Sequence, residues 1–381
     1  MIVTRDSTQL KIQLLQASKD LKRTSNNEEK FALANYIGNI YRAANDLNPP
    51  IKLDFKTAFS SQKAYNKYLK RIDILSDRMM KDYVLNKGFH GSFIGDILSE
   101  KEAVENNYVE KDVEPKTYSP EEFSEILFDF LKSINQEELF DRVIENGIIH
   151  NQRGNHTVND GSILYNPVNG KIDILVRKFR YTLPCMNNIA HELGHALDYQ
   201  MLGLDPKKFN YYLYVSFMDE VLSNLFEKLF IDYAIRHNLE LEVVQNMLYN
   251  YDIVYYYKQF YAYLLSTLSD DDLYSDRLTD INIADFYELF RDYFDSEEEV
   301  EEHLALYGDI SLDTTYSYSY GNVVSTFLAD EIRKSGFDNL MLADFLRSRY
   351  GKFDRKLFER NNWTPERFGK IYRKELEIFR K

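Results

Sequence analysis

Along this chain the spacing of apolar residues is helical almost throughout and switches to a β pattern once. Over residues 147–181 side chains alternate, and two apolar runs, Ile163-Leu164-Tyr165 and Ile172 to Val176, flank the turn pair Asn169-Gly170. That arrangement predicts a hairpin. Everything around it reads as helix. Residues 7–48 carry a helical pattern interrupted at Ser25-Asn26-Asn27 and closed by Pro49-Pro50, and residues 55–85 predict a long helix or helix pair. The pattern weakens over residues 88–114. Ser119-Pro120-Glu121-Glu122 is a capping box with proline in the first turn, and Thr364-Pro365-Glu366 opens the last helix. Directly after the hairpin a helix is expected from about Pro184 to Gly203. The expected fold class is mainly α, with one small β-ribbon entering that helix.

Composition narrows what such a fold can do. With 44% hydrophobic residues in 381, the chain can bury a sizeable core. The single Cys185 excludes an intrachain disulfide framework and a cysteine-built zinc ribbon. The first twenty residues lack an apolar signal core, and no stretch reaches ~18 consecutive apolar residues. The expectation is a cytoplasmic protein with no membrane span. A net charge of −14 argues against a nucleic-acid partner, because phosphate neutralisation needs a basic surface. Residues 270–303 carry fourteen acids against Arg277 and Arg291, whereas residues 351–381 carry ten basic side chains against five acids. Both read as solvated helix faces.

The helix after the hairpin contains His191-Glu192-Leu193-Gly194-His195, an H-E-x-x-H pattern. Histidines four residues apart differ by about 40° around a helix, so both rings reach one metal ion from one face. Glu192, one step round, can meet a water on that metal and take its proton. A catalytic zinc also wants a third protein ligand and an open position. The histidine that metzincins place ten residues after the first is here Met201, which excludes that class. The acids that follow are Asp198, Asp205, Asp219, Glu220 and Glu227. Helical spacing over residues 215–235 puts Asp219, Glu220, Ser223, Asn224 and Glu227 on one face and Met218, Leu222, Leu225, Phe226 and Leu229 opposite. Amphipathicity alone leaves the third ligand open.

The stretch Phe217-Met218-Asp219-Glu220-Val221-Leu222-Ser223-Asn224-Leu225-Phe226-Glu227 places Glu220 29 residues after His191. Together with Ile189-Ala190 leading into His191-Glu192-Leu193-Gly194-His195-Ala196-Leu197, it resembles the oligoendopeptidase F and thimet oligopeptidase family of zinc peptidases. The resemblance implies a two-lobed, zincin-like helical metallopeptidase holding one Zn2+ per chain and cleaving peptides. It implies His191, His195 and Glu220 as zinc ligands, Glu192 as general base and Glu227 as a carboxylate steadying the ligands. Tyr316-Ser317-Tyr318-Ser319-Tyr320-Gly321 is similar to that family's tyrosine-rich segment. This implies Tyr318, with Tyr316 and Tyr320 as neighbours, as donor to the tetrahedral oxyanion, a task suited to a phenol O–H.

The resemblance covers residues 163–332. Asp198 stands where the family has another histidine, and the family's histidine shortly before the tyrosine cluster has no counterpart, since His303 lies farther upstream. Residues 1–146 are expected as a shortened N-terminal helical lobe, leaving a shallower channel, and residues 147–381 as the catalytic lobe. The rival activities are a metallocarboxypeptidase of related fold, favoured by a cation facing the substrate carboxylate, and a metal-bound peptide-binding protein. The hairpin edge can take up an extended peptide by backbone hydrogen bonds. His90, His150 and His237 have no ligand-spaced partners. His156 reads as a loop residue, Cys185 as a packed one, and Tyr255-Tyr256-Tyr257 with Phe260 and Tyr261 as packing.

Overall fold

The computed structural model describes residues 4–5, 8–45, 55–104, 108, 110–144, 147–150, 161–176, 179–203, 205–215, 217–273, 283–307, 312–348 and 355–377. In chain order the elements are β1 (Thr4–Arg5), α1 (Thr8–Arg23), α2 (Asn27–Asn45), a 3-10 turn (Phe55–Ala58), α3 (Gln62–Glu102), α4 (Pro120–Ser133) and α5 (Glu137–Leu139), which runs into a π turn (Phe140–Ile144). Next come β2 (Ile148–His150), β3 (Gly161–Tyr165), β4 (Ile172–Val176), α6 (Leu183–Leu202), α7 (Pro206–Val215), α8 (Val221–Arg236) and α9 (Leu241–Thr267). The chain continues through α10 (Asp270–Leu273), α11 (Ile283–Phe290), α12 (Glu297–Tyr307), α13 (Leu312–Ser335), α14 (Leu340–Ser348), α15 (Arg355–Arg360) and α16 (Pro365–Leu376). The fold is mainly α with one small sheet. Among the described residues, no helix is long and apolar enough to cross a membrane.

Helix boundaries follow the capping chemistry. Asn26 starts α2 by accepting from the backbone N–H groups of Glu28 and Glu29 at 2.9 and 3.3 Å. Ser119 and Glu122 close the reciprocal capping box of α4, and Thr364 accepts from the Arg367 N–H at the start of α16. Helix α6 opens with Pro184 in its first turn and stops at Gly203, whose φ is 66°. One expectation is corrected. The helix expected to end near residue 85 runs on to Glu102, so that residues 88–102 of the weakly patterned stretch are the last turns of the 41-residue α3. Its glycines lie inside the helix, where α9 packs closely: a Cβ at Gly91 would stand 2.5 Å from Ser266 Oγ, and one at Gly95 3.1 Å from the Tyr263 ring. Pro49-Pro50 and Asn155-His156-Thr157 lie outside the described residues.

The hairpin forms as β3 and β4, joined by a loop in which the Asn166 N–H donates to Lys171 O at 2.8 Å and Gly170 takes φ 69°. It is half of a larger sheet, ordered β1-β2-β4-β3, whose β1–β2 and β2–β4 pairs are parallel. Strands of two and three residues are too short to show a period of two, which is why the sequence reveals only the ribbon. Alternation along the sheet divides the interior. Ile148, Ile172, Ile174, Val176 and Tyr165 enter the main helical core, while Ile149, Leu164 and Leu175 pack against Leu10, Leu14, Ile37 and Ile40 of α1 and α2. The main core draws side chains from both sides of residue 146.

Three helices are tied by a buried charge. Lys101 of α3, its side chain 3% exposed, meets Asp252 of α9 at 2.9 Å, and Tyr372 of α16 donates to the other Asp252 oxygen at 2.5 Å. Removing the lysine strands that carboxylate among buried groups, so Lys101→Ala should cost about 3 kcal/mol. The exposed pair Lys111–Glu242, also at 2.9 Å, should contribute less than about 1 kcal/mol when Lys111→Ala breaks it. Urea unfolding midpoints of the two variants test this, and equal small shifts would refute the role given to Lys101.

Candidate metal centre

Helix α6 is buried on most of its circumference, and His191 and His195 share the face that is not fully closed. Their rings sit edge to face, with centroids 4.9 Å apart. The chain then returns through α7 and a turn over residues 217–220 to begin α8. The expected amphipathic helix from Val215 is corrected here: α8 begins at Val221 and is buried almost all round, so its polar residues face neighbouring elements, not bulk water.

Glu220 precedes the first residue of α8 with φ −88° and ψ 1°, and its side chain does not cap the helix. It reaches across to the histidine pair instead. Glu220 Oε2 lies 3.4 Å from His191 Nε2 and 3.4 Å from His195 Nε2. Ligands ~2.0–2.1 Å from a tetrahedral centre stand about 3.3–3.4 Å apart along each edge. His191, His195 and Glu220 each offer one donor atom within 4.8 Å of the others, so these three side chains can hold a metal ion.

A surrounding layer fixes them. Glu227, two turns along α8, places Oε1 3.3 Å from His191 Nδ1. Ser223 Oγ donates to Glu220 Oε2 at 2.9 Å, and Asn224 Nδ2 donates to Glu220 O at 2.6 Å. Tyr251 of α9 donates to Asn224 Oδ1 at 2.8 Å. Two glycines admit the close approaches this requires. A Cβ at Gly194 would meet Leu222 O at 2.3 Å, and one at Gly321 of α13 would meet Glu220 Cβ at 2.7 Å. Neither histidine nor acid spacing predicts those contacts, although a glycine inside each helix is their one visible trace.

The electrostatics describe an excess of buried negative charge. Burial pushes the His191 imidazole down, but Glu227 and Glu220 outweigh it and raise it well above its usual value. Burial likewise opposes protonation of His195, and Glu220 reverses it. Burial would raise Glu220, yet His195 and His191 hold it well below the carboxylate range. Asp219, next to it, goes the other way: burial and then the Glu220 charge raise it well above that range. Glu192 is 4% exposed, and its Oε1 lies 2.7 Å from where a Cβ on Gly161 would stand, at the start of β3.

The three tyrosines part company. On α13, residues 316 and 320 share a face and residue 318 lies opposite. The Tyr83 and Tyr316 hydroxyls meet at 2.7 Å, Tyr316 donates to Ala262 O at 2.6 Å, and Tyr320 OH meets His90 Nδ1 at 2.5 Å, all in the core. Tyr318 alone of the three faces the carboxylates: Glu220 first, then burial, raises its phenol well above the usual value, with Glu192, Asp219 and Glu227 adding to the effect. His90, which had no assigned partner, is a core residue whose burial lowers it to about 3. Cys185 is fully buried, and burial raises its thiol to about 11.

Sequence reasoning missed the face of α9 that closes the site. Tyr251, Tyr255 and Lys258 follow one another at helical spacing. Tyr255 stands 6.2 Å from Tyr318 between ring centroids, and Lys258 Nζ stands 5.7 Å from the Tyr318 centroid. In a helix carrying so many tyrosines, spacing cannot say which face meets the metal centre.

No family model matches the chain, and no curated protein does. A solved structure of a "putative peptidase" from Chlamydophila abortus matches with a TM-score of 0.41 and 14% identity over 92% of this chain. The chain spans 61% of that protein's length. A likeness of that size carries no argument about this chain.

The two neighbouring acids separate cleanly by experiment. Glu220→Ala should abolish tight metal retention, because one donor of the triad is lost, whereas Asp219→Ala should retain the ion. Glu227→Ala should weaken affinity by ~10–100-fold, the usual loss when a carboxylate behind a ligating histidine is removed. A competitive titration against a chelator of known affinity measures all three. Retention by Glu220→Ala with loss by Asp219→Ala would reassign the third ligand.

Proposed function

We propose that this chain is a zinc metallopeptidase that hydrolyses internal bonds of oligopeptides bound in extended form. The observation that carries the proposal is the convergence of two imidazoles and one carboxylate with Glu192 and Tyr318 beside them. A set of two histidines and an acid suits Zn2+, and leaves a coordination position open. When bound, the metal supplies Lewis acidity, lowering the pKa of a water it holds to about 7 and polarising a carbonyl.

The chain's own residues supply the rest. Glu192 takes the proton of the attacking water and returns it to the departing amine. The Tyr318 phenol keeps its proton because Glu220 and burial disfavour the phenolate, so it is a donor to the developing oxyanion. Glu227 faces His191 Nδ1, which favours the tautomer that leaves Nε2 free for a metal. Among the described residues β3 pairs only with β4, and it begins beside Glu192. A peptide adding to its other edge runs past the general base, with its backbone held by strand hydrogen bonds.

Lys258 supports a second reading, a metallocarboxypeptidase. Its ammonium lies beside Tyr318, where a substrate's terminal carboxylate would find a countercharge.

Digestion of a random peptide mixture, read by mass spectrometry, separates the two. Internal cuts abolished by a chelator are expected. Single C-terminal losses, prevented by C-terminal amidation and weakened by Lys258→Ala, would replace the first reading with the second. Glu192→Gln should keep the metal and lose at least ~10²-fold in turnover, and Tyr318→Phe should lose ~10²–10³-fold in kcat. No cleavage by the metal-loaded protein would refute both readings.

A further inference from the structure

A cavity of about 540 Å³ opens among α1, α2, the link Phe59-Ser60-Ser61 and α3, and none of its lining residues belongs to the candidate metal centre. Its floor is aromatic. Tyr68 stands between Phe31 and Phe59, with ring centroids 5.2 and 5.3 Å away, and its hydroxyl is already committed to Asn35 Oδ1 at 2.9 Å. The floor therefore offers apolar faces and few hydrogen-bonding groups.

The rim is the opposite. Lys63, Lys67 and Lys70 follow at i, i+4 and i+7 on one side of α3, all exposed, and none forms an ion pair with a described residue. Like charges at that spacing repel one another. Beside them Arg71 is neutralised by Glu28 and lies 4.5 Å from the Phe31 centroid, so the fold does compensate a cation at this place where it serves packing. On a chain of net charge −14, three lysines with no ion-pair partner among the described residues over an aromatic hollow are a local reversal of sign.

We propose that this cavity is a binding site for an anionic amphiphile, an apolar chain or ring bearing one carboxylate, sulfonate or phosphate. The aromatic floor receives the apolar body, and the lysines receive the head. A volume of this size falls within the ~300–1,000 Å³ range of small-ligand sites. The site is independent of the proposed peptidase chemistry, because the two share no side chain.

Dodecanoate, kept below its micellar concentration, is the probe. Isothermal titration into the full chain should give one equivalent bound, weakened at least ~10-fold by Lys67→Glu combined with Lys70→Glu, and weakened by added salt. Ala64→Trp, which fills the cavity while leaving the lysines, should also lose binding; circular dichroism checks that each variant folds. Dodecyltrimethylammonium, with the same tail and opposite charge, should bind at least ~10-fold more weakly. Equal binding of the two amphiphiles, or indifference to the lysine reversals, overturns the proposal. Association with phosphatidylglycerol vesicles without binding of monomeric dodecanoate overturns it too, since the lysines would then face a membrane surface, not a cavity. Glu192→Gln should bind dodecanoate unchanged; a loss there would place the probe in the metal cleft and overturn the assignment.

Discussion

At Gly194 the backbone of α6 lies against the backbone of α8, close enough that a single methyl group would stand 2.3 Å from the Leu222 carbonyl oxygen. Ordinary helix pairs keep axes ~8–10 Å apart because side chains fill the seam. Here the absent side chain lets the His191 and His195 face come within reach of a carboxylate that starts the next buried helix. Gly321 repeats the device between α13 and Glu220. The candidate third donor Glu220, the carboxylate of Glu192 and the phenol of Tyr318 come from three different elements, and the two close approaches bring Glu220 against both α6 and α13.

The charges make such a site receptive to a cation. Glu192, Glu220, Glu227 and Asp219 are gathered in a largely buried space whose nearby basic groups on α6 are two imidazoles. Each resolved shift has the same sense apart from that of Glu220: His191, His195, Asp219 and Tyr318 are all driven toward keeping a proton. Glu220 stays ionised because both histidines face it. Protons on those groups do locally what a divalent cation does centrally, which is the electrostatic counterpart of the donor spacing.

Behind the turn that delivers Glu220 is an aromatic wall. Phe217 packs edge-on to Tyr83 and His90, which stack on each other, and Tyr316 and Tyr320 complete the group. A neutral histidine and three bonded phenols give that wall polar contacts as well as apolar area, so helix α3 braces the turn that carries Glu220.

Much of this was legible in the residues. Caps, prolines and glycines act within a few residues of themselves, so Asn26, Ser119, Thr364, Pro184 and Gly203 mark real boundaries. The helical phase of His191, Glu192 and His195 is likewise local, and it identifies one face of one helix. The extent of α3 was not legible, because Gly88, Gly91 and Gly95 weaken the pattern, and the place of the last two is explained only by packing on α9. Nor were β1 and β2, too short to carry a period. Which of Tyr316, Tyr318 and Tyr320 faces the carboxylates, that Tyr255 and Lys258 close the site, and that α8 is buried all round depend on which helix lies against which. Periodicity reports that two residues share a face; what that face meets is set by contacts between segments far apart in the chain, and those exist only once the backbones have closed at Gly194 and Gly321.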